Sequence, residues 1–210
     1  MHISRFAPTL ALIATVGILV AASAPPHASP LPHPAPHVWP APNAVLRSGT
    51  LSFTGHSTVG DFVGTTTAIT GGVTGNAELA NARGWVEATV ATLNTGNGLR
   101  DRDLRSTMDV AKYPTMRFEL AGVTVESPAA TSDTVTSTLR GALTIRITRD
   151  VAVPATLIRA ADTVDVSGAF PIDLGDYKVS GLTRFLGTLR VQRKIEVRFN
   201  VRFEATPHTS

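Results

Sequence analysis

Hydrophobic and polar residues alternate one by one along most of the chain after residue 47. In the clearest row, 194–205, Ile, Val, Phe and Ala occupy every second position, and charged or amide side chains lie between them. A period of two separates the faces of a β-strand, whereas a helix would spread both classes around its axis. Two further long rows cover 139–147 and 164–174, and shorter rows cover 51–53, 62–70, 85–93, 116–120 and 151–157. The pattern predicts about eight strands.

Each predicted strand has one apolar and one polar face, which is typical of antiparallel sheets with a single solvated side. Turn residues separate the rows, at Gly71-Gly72, 94–98, Ser127-Pro128 and Gly175-Asp176. Such strands can close as a barrel or stack as a sandwich. Because several rows are longer than a sandwich needs, we expect an all-β, eight-stranded antiparallel barrel.

One segment departs from the alternation and predicts a short helix from about Leu99 to Asp109. Asn97 is placed to cap its first turn, and Asp101 lies four residues before Arg105, the spacing of an ion pair along a helix. Its apolar edge consists of Leu104, Met108 and Ala111.

The first 24 residues have the layout of a secretory signal peptide. Arg5 supplies a positive start, Leu10 to Ala22 carry no charge, and small residues follow at 21–24. The pattern predicts export to the periplasm or the outside of the cell. An uncleaved leader would instead anchor the protein in the membrane, and the sequence leaves that alternative open.

Residues 25–46 are predicted to be a Pro-rich linker. Eight of the chain's 14 prolines lie within 25–44, and proline favours extended polyproline II over packed structure. Three histidines, His27, His33 and His37, lie in it without a carboxylate or cysteine to complete a metal site. The barrel domain is then expected over 47–205, with a tail at 206–210.

Composition excludes several classes of function. The formal net charge is +3, too small for a protein whose task is to neutralise phosphates, so no nucleic-acid partner is expected. The chain has no cysteine, which excludes disulfide scaffolds, thiol catalysis and iron–sulfur clusters.

Residues suited to catalysis are scattered. His56 is the one histidine between residues 47 and 205, and neighbouring Ser57 would point to the opposite face of a strand. The acidic pairs Asp101/Asp103 and Asp173/Asp176 lack a metal-ligand spacing, and arginines flank the first of them. We therefore expect no enzyme activity, no metal and no cofactor.

The lumen of the predicted barrel is the remaining candidate for a functional site. An eight-stranded barrel is either filled by its own side chains or wide enough for one slender ligand. Its inward rows are mostly Leu, Ile, Val and Phe, which would suit a hydrocarbon but offer few hydrogen bonds to a sugar or a nucleotide.

A resemblance to a known family bears on this choice. Residues 94–120, NTGNGLRDRDLRSTMDVAKYPTMRFEL, resemble the signature of the YceI-like family of exported, lipocalin-like proteins that bind polyisoprenoid lipids. The matching elements are Arg100-Asp101, Leu104, Ser106, Tyr113-Pro114 and Phe118, with supporting matches at 53–64, 141–148 and 172–177. Asp103 stands where many members have a histidine, so a role for that histidine does not carry over.

The resemblance implies an exported protein that sequesters or carries a polyisoprenoid-type lipid in the barrel lumen. The alternation of inward and outward positions along each strand predicts that the following residues line the lumen: Phe53, Val90, Phe118, Leu143, Ile145, Phe170 and Phe199. Arg100 and Asp101 are expected to hold the helix against the barrel, and one of them to reach a polar head group. The alternative is a ligand-free interaction module with a packed core. The sequence also leaves open membrane proximity through the N-terminal segment and pairing of two barrels into a homodimer.

Overall fold

The strands predicted from the alternation are present in the computed structural model. The structure describes residues 43–58, 60–75, 79–127, 133–179, 183–184 and 189–206. The predicted leader and most of the predicted linker lie outside the described residues.

The described residues form eleven strands, one α-helix and three short 3-10 helices. The strands are β1 (Asn43–Ser57), β2 (Gly60–Thr66), β3 (Ile69–Thr74), β4 (Arg83–Thr89), β5 (Thr115–Ser127), β6 (Thr134–Thr144), β7 (Thr148–Ala160), β8 (Thr163–Asp173), β9 (Thr183–Arg184), β10 (Leu189–Arg190) and β11 (Lys194–Ala205). The helix is α1 (Gly98–Met108), and the 3-10 helices are Leu79–Asn81, Val90–Thr92 and Leu174–Tyr177.

Nine of these strands form one antiparallel sheet that closes on itself. Its order is β11-β8-β7-β6-β5-β4-β3-β1-β2, and the additional pairing of β11 with β1 completes the ring. β2 and β3 act as one broken strand because both follow the same register against β1, with Leu51 opposite Thr66 and Val45 opposite Gly72. The expected eight-stranded antiparallel barrel with one short helix is confirmed.

The predicted turn at Gly71-Gly72 is wrong, since both glycines lie inside β3. A Cβ on Gly71 would lie 2.6 Å from the carbonyl oxygen of Trp85 on β4, so glycine here allows two strands to approach closely. Gly71 therefore marks a close contact between the backbones of β3 and β4, and not a turn.

Three predicted boundaries also differ from the structure. The row 85–93 ends as a strand at Thr89 and continues as the 3-10 helix Val90–Thr92. The row 139–147 ends as a strand at Thr144, and the next three residues form the bend into β7. β1 begins at Asn43, within the segment predicted to be linker, because its first residues pair with both β3 and β11.

Two hydrophobic clusters fill the two ends of the barrel. One cluster contains Val123, Val135 and Phe203 together with Leu79 from a 3-10 helix, and we call this end the packed end. The other contains Met108, Ile145, Tyr177 and Val179 and lies under α1, so we call it the helix end. The lumen lies between them.

Candidate functional site

Side chains inside the barrel are buried at both ends and half-exposed in the middle. Along β11, Ile195 is 9% exposed and Phe203 is 4% exposed, whereas Val197 and Phe199 between them are only half-buried. All four are on the inward face, so their exposure is to an internal space. The middle of the barrel therefore contains a cavity.

The cavity has a volume of about 210 Å³. One water needs about 10–15 Å³ of such space, so the lumen is far larger than a single buried water site. Its wall is almost wholly hydrocarbon. The inward residues that form the wall include Leu51, Val86, Met116, Leu120, Leu139, Val153, Val166, Ile172, Val197 and Val201.

The structure places six of the seven residues predicted to line the lumen on the cavity wall. They are Phe53, Phe118, Leu143, Ile145, Phe170 and Phe199. Their contact with a ligand stays a prediction. Val90 is a correction: it lies in the 3-10 helix after β4, 1% exposed within the cluster of the helix end, and is absent from the described cavity wall.

Helix α1 covers one end of the cavity. Asn97 caps it, since its side-chain oxygen accepts hydrogen bonds from the N–H groups of Leu99 and Arg100. Leu104 and Met108, one turn apart, face the cavity, whereas Ala111, which the sequence assigned to the same edge, is exposed. The helix therefore contributes an apolar lid of two side chains.

Asp101 holds the loop that precedes this helix. Its carboxylate accepts hydrogen bonds from the N–H of Thr95 at 2.9 Å and from the Thr95 hydroxyl at 2.6 Å. These bonds, aided by Arg105 and Arg100 and opposed by burial, lower the pKa of Asp101 below its ordinary value of 3.8. The predicted ion pair with Arg105 is replaced by these hydrogen bonds, and the Nε of Arg105 donates to the carbonyl of Ala91.

The same loop is tied to the barrel wall by backbone hydrogen bonds. Thr65 on β2 and Asn94 exchange two of them, each at 2.9 Å. Asp101 thus connects α1 to a loop that is itself joined to β2. The expected attachment of the helix to the barrel runs from Asp101 through Thr95 and Asn94.

Arg100 lies beside this attachment, over an aromatic ring. Its guanidinium carbon is 4.6 Å from the centre of the Phe62 ring, within the range of a cation–π contact. Phe62 in turn meets Phe53 edge to face, with 6.0 Å between ring centres. Because Phe53 is part of the cavity wall, a single ring, that of Phe62, separates Arg100 from the wall.

Arg146 joins the segments that cover the helix end, a role the sequence did not suggest. It lies in the bend after β6, and its guanidinium donates to the carbonyl of Lys178 at 2.9 Å and to that of Thr107 near the end of α1. Its Nε is buried without a hydrogen-bond partner among the described residues. One arginine thereby connects the bend, α1 and the segment after β8.

The polar residues considered for catalysis do not converge on one site, and each makes local contacts of its own. His56 Nδ1 lies 2.8 Å from a carboxylate oxygen of exposed Asp61, while the Ser57 hydroxyl donates to the carbonyl of Gly60. Asp173 caps the 3-10 helix Leu174–Tyr177. The described part of the chain contains no group of three or more His, Asp or Glu residues able to hold a metal ion.

Within the described ranges, no helix combines the length and the apolar character needed to cross a membrane.

Comparison with known proteins yields a family and a shared fold. A family model for the YceI-like domain matches residues 46–203. A structure of BcnA from Burkholderia cenocepacia superposes with a TM-score of 0.60 and is 18% identical, covering 73% of this chain and 95% of that one. No curated protein matches the chain.

A second solved structure is described as a polyisoprenoid binding domain from Saccharophagus degradans implicated in plant cell wall breakdown. It superposes with a TM-score of 0.63 at 16% identity, covering 79% of this chain and 99% of that one. At such identities the two structures show the shared barrel fold. The family match covers most of the chain, so the protein belongs to the YceI-like family.

Proposed function

We propose that this YceI-like protein binds an amphiphile of the polyisoprenoid type and sequesters or carries it in the barrel lumen. The observation that carries the proposal is the apolar wall around a cavity of about 210 Å³. An isoprenoid chain needs no hydrogen-bond partners inside such a wall. A sugar or nucleotide would leave buried polar groups unsatisfied, at about 1–3 kcal/mol for each group.

The physical state of an empty lumen also favours an apolar ligand. Atoms that face a void lose the dispersion contacts that close packing would provide. Apolar cavities tend to stay dry and to accept apolar guests. A hydrocarbon chain would restore contacts for half-exposed wall residues such as Phe199 and Leu143.

The family and the polyisoprenoid-binding neighbour from Saccharophagus degradans support the same class of ligand. A binding role, without catalysis, agrees with the chemistry of the described residues. His56 pairs with Asp61 at the surface, and the carboxylate of Asp101 accepts a hydrogen bond from the Thr95 hydroxyl. We therefore propose a carrier protein that needs no cofactor.

We also propose that the protein acts outside the cytoplasm, on the basis of the leader predicted at residues 1–24. Sequencing the mature N-terminus tests this directly. A cleaved, exported protein would begin between Ser23 and Pro26. A protein that begins at Met1 in the membrane fraction would be anchored, and one that begins at Met1 in the cytosol would overturn the export proposal.

Lipid extraction and mass spectrometry of the purified full chain test the binding function. The expected result is one co-purifying isoprenoid lipid at close to one molecule per protein. The matched control is Leu143→Trp, in which an indole occupies the lumen and excludes the lipid. A natural protein that carries no lipid, and that binds no prenyl chain added in vitro, would overturn the proposal.

A second candidate is an interaction module, and one feature of the outer surface favours it. Trp85 faces outward beside Val45, which is 43% exposed, and the Arg117 guanidinium lies 4.4 Å from the indole ring centre. Aromatic and Arg residues are enriched at protein interfaces. A lipid-free protein whose partner binding is lost in Trp85→Ala would favour this function.

A further inference from the structure

The polar head of a lumen-bound amphiphile has no partner inside the barrel, because the wall is almost wholly hydrocarbon. A head group must therefore lie at one end of the lumen or beyond it, where polar atoms or water can solvate it. This inference rests on the proposed lipid-binding function and concerns which end and which chemistry receive the head.

Two cationic side chains at the packed end already have carboxylate partners. At the packed end, the Nε of Arg47 lies 3.0 Å from a carboxylate oxygen of Glu204. Nearby Arg202 makes two hydrogen bonds to the carboxylate of Asp165, at 2.7 and 2.8 Å. These cations already have anionic partners, and the packed end is filled by side chains such as Phe203.

At the helix end, Arg100 has a different environment. It lies one helical turn from Leu104 and two from Met108, and side chains at this spacing share one face of a helix. Leu104 and Met108 form part of the cavity wall, so Arg100 continues their stripe to the rim of the lumen. Its stacking on Phe62 fixes the guanidinium there, 4.6 Å from the ring centre.

The charge of Arg100 helps to lower the pKa of adjacent Asp101, but the two side chains do not form an ion pair. None of the ion pairs among the described residues includes Arg100, and the carboxylate of Asp101 accepts its hydrogen bonds from Thr95. The side chain is half-buried and stacked on a ring, so part of its hydration is lost. A nearby anion would restore favourable electrostatic contacts for this group.

We propose that Arg100 is the head-group binding residue, and that the amphiphile is an isoprenoid with an anionic head, a phosphate or a carboxylate. The guanidinium presents a planar fork of N–H donors that matches the oxygens of either group, and these bonds are charge-assisted. The stacked ring leaves the edge of the fork available to a ligand at the rim. A neutral alcohol or quinone head would gain much less from this residue.

The test compares probes that share one tail and differ in the head. Dissociation constants of farnesyl phosphate, farnesoic acid and farnesol are measured for the full chain, for Arg100→Gln and for Arg102→Gln. Arg102 is exposed on the same helix and is the matched control. We expect the natural protein and Arg102→Gln to bind the anionic lipids at least about 10-fold more tightly than farnesol, or about 1.4 kcal/mol.

In Arg100→Gln, we expect the anionic lipids to lose this advantage while farnesol binding is unchanged. Added salt should weaken binding of the anionic probes to the natural protein and leave farnesol binding constant. The relative affinities of farnesyl phosphate and farnesoic acid identify which anionic head is preferred. If Arg100→Gln does not fold, Arg100→Lys retains the charge without the fork, and we expect an intermediate preference.

Equal affinity of the natural protein for all three probes would overturn the role of Arg100 while leaving the lumen function intact. The same conclusion follows if Arg100→Gln weakens farnesol and farnesyl phosphate by the same factor, which indicates a structural role. Failure of the natural protein to bind any of the probes would overturn the proposed function, and this inference with it.

Discussion

The ring of Phe53 lies directly over Gly64, its partner across the β1–β2 ladder. A Cβ on residue 64 would be in steric conflict with the carbons of that ring. Phe199 lies over Gly168 of β8 in the same way. Because glycine has no side chain, each ring can lie along the wall without crossing the lumen. These pairs help to keep the cavity open.

Gly64→Ala should narrow the lumen by pushing the Phe53 ring away from the wall. The three atoms nearest to the added methyl group all belong to that ring, so the side chain can move while the backbone stays in place. We expect lower lipid occupancy, measured by mass spectrometry of extracted lipid. The double variant Gly64→Ala/Phe53→Leu should recover occupancy, and failure to recover would contradict this mechanism.

Gly168→Ala should instead lower stability. The added Cβ would be in conflict with the backbone carbonyl oxygen of Pro154 as well as with the Phe199 ring. A backbone atom cannot turn aside, and strain of this kind costs about 1–3 kcal/mol. Urea unfolding measures the loss. Adding Phe199→Leu should relieve little of it, in contrast to the rescue expected at Gly64.

Leu143→Trp tests whether the lumen is a functional cavity. If the space is normally occupied by lipid, the indole should fill it and exclude the lipid with little change in the melting temperature of the lipid-free protein. In a packed core the same change would cost about 1–3 kcal/mol. Thermal unfolding and lipid analysis distinguish the two results.

Ala142→Trp is the matched control for this substitution. Ala142 precedes Leu143 on β6 and points to the other face of the sheet, so its indole should leave lipid binding intact. Thr144, also outward by parity, is less suitable because its hydroxyl lies 2.9 Å from that of Thr148. Loss of lipid in Ala142→Trp alone would show that the assigned faces are reversed.

Asp101→Ala should lower the free energy of unfolding by about 1–3 kcal/mol, because it leaves two partly buried donors of Thr95 without their acceptor. Asp101→Asn keeps a side-chain oxygen and should cost less. Arg102→Ala, at an exposed position of the same helix, should stay within about 0.5 kcal/mol of the natural protein. Chemical unfolding measures all three. A fully stable Asp101→Ala that no longer binds lipid would place Asp101 in the ligand site.

The stabilisation by Asp101 should depend on pH in the acid range. Its folded-state pKa lies below the ordinary value of 3.8, so the unfolded chain takes up the proton first as the pH falls. The contribution is therefore complete well above pH 3.8 and is lost as the pH falls through the lower folded-state pKa. The difference in stability between the natural protein and Asp101→Asn should shrink below about pH 4. The pKa of Asp165 is lowered by its hydrogen bonds to Arg202 in both proteins, so its effect cancels in the comparison.

Local sequence rules were sufficient for the faces of the strands and for the helix. The alternation in 194–205 matches the inward and outward residues of β11, because the pleat of a strand has a period of two. The Asn97 cap, the helix to within one residue at each end, and six residues of the cavity wall follow from equally local patterns. The prediction for Val90 is wrong because the alternation of inward and outward residues holds only as far as Thr89, where the strand ends and a 3-10 helix begins.

The contacts between distant segments could not be read from those patterns. Glycine in a row of alternating residues indicates either a turn or a close approach, and only the pairing of β3 with β4 identifies Gly71 as the latter. In the same way, Asp101 had charged neighbours in the sequence, yet its carboxylate binds Thr95 in the loop that joins Thr65.

The sequence by itself determined the all-β class, the antiparallel arrangement, the apolar inner face and the place of the helix along the chain, because each depends on patterns among neighbouring residues. Only the tertiary structure decided that the lumen is open in the middle and filled at both ends, and that Arg100 stacks on Phe62, which in turn meets Phe53 of the cavity wall. Cavity volume is the difference between the space that the closed sheet encloses and the volume of the side chains pointing into it. That difference depends on how rings such as Phe53 lie against the glycines of neighbouring strands, which no single segment of the chain specifies.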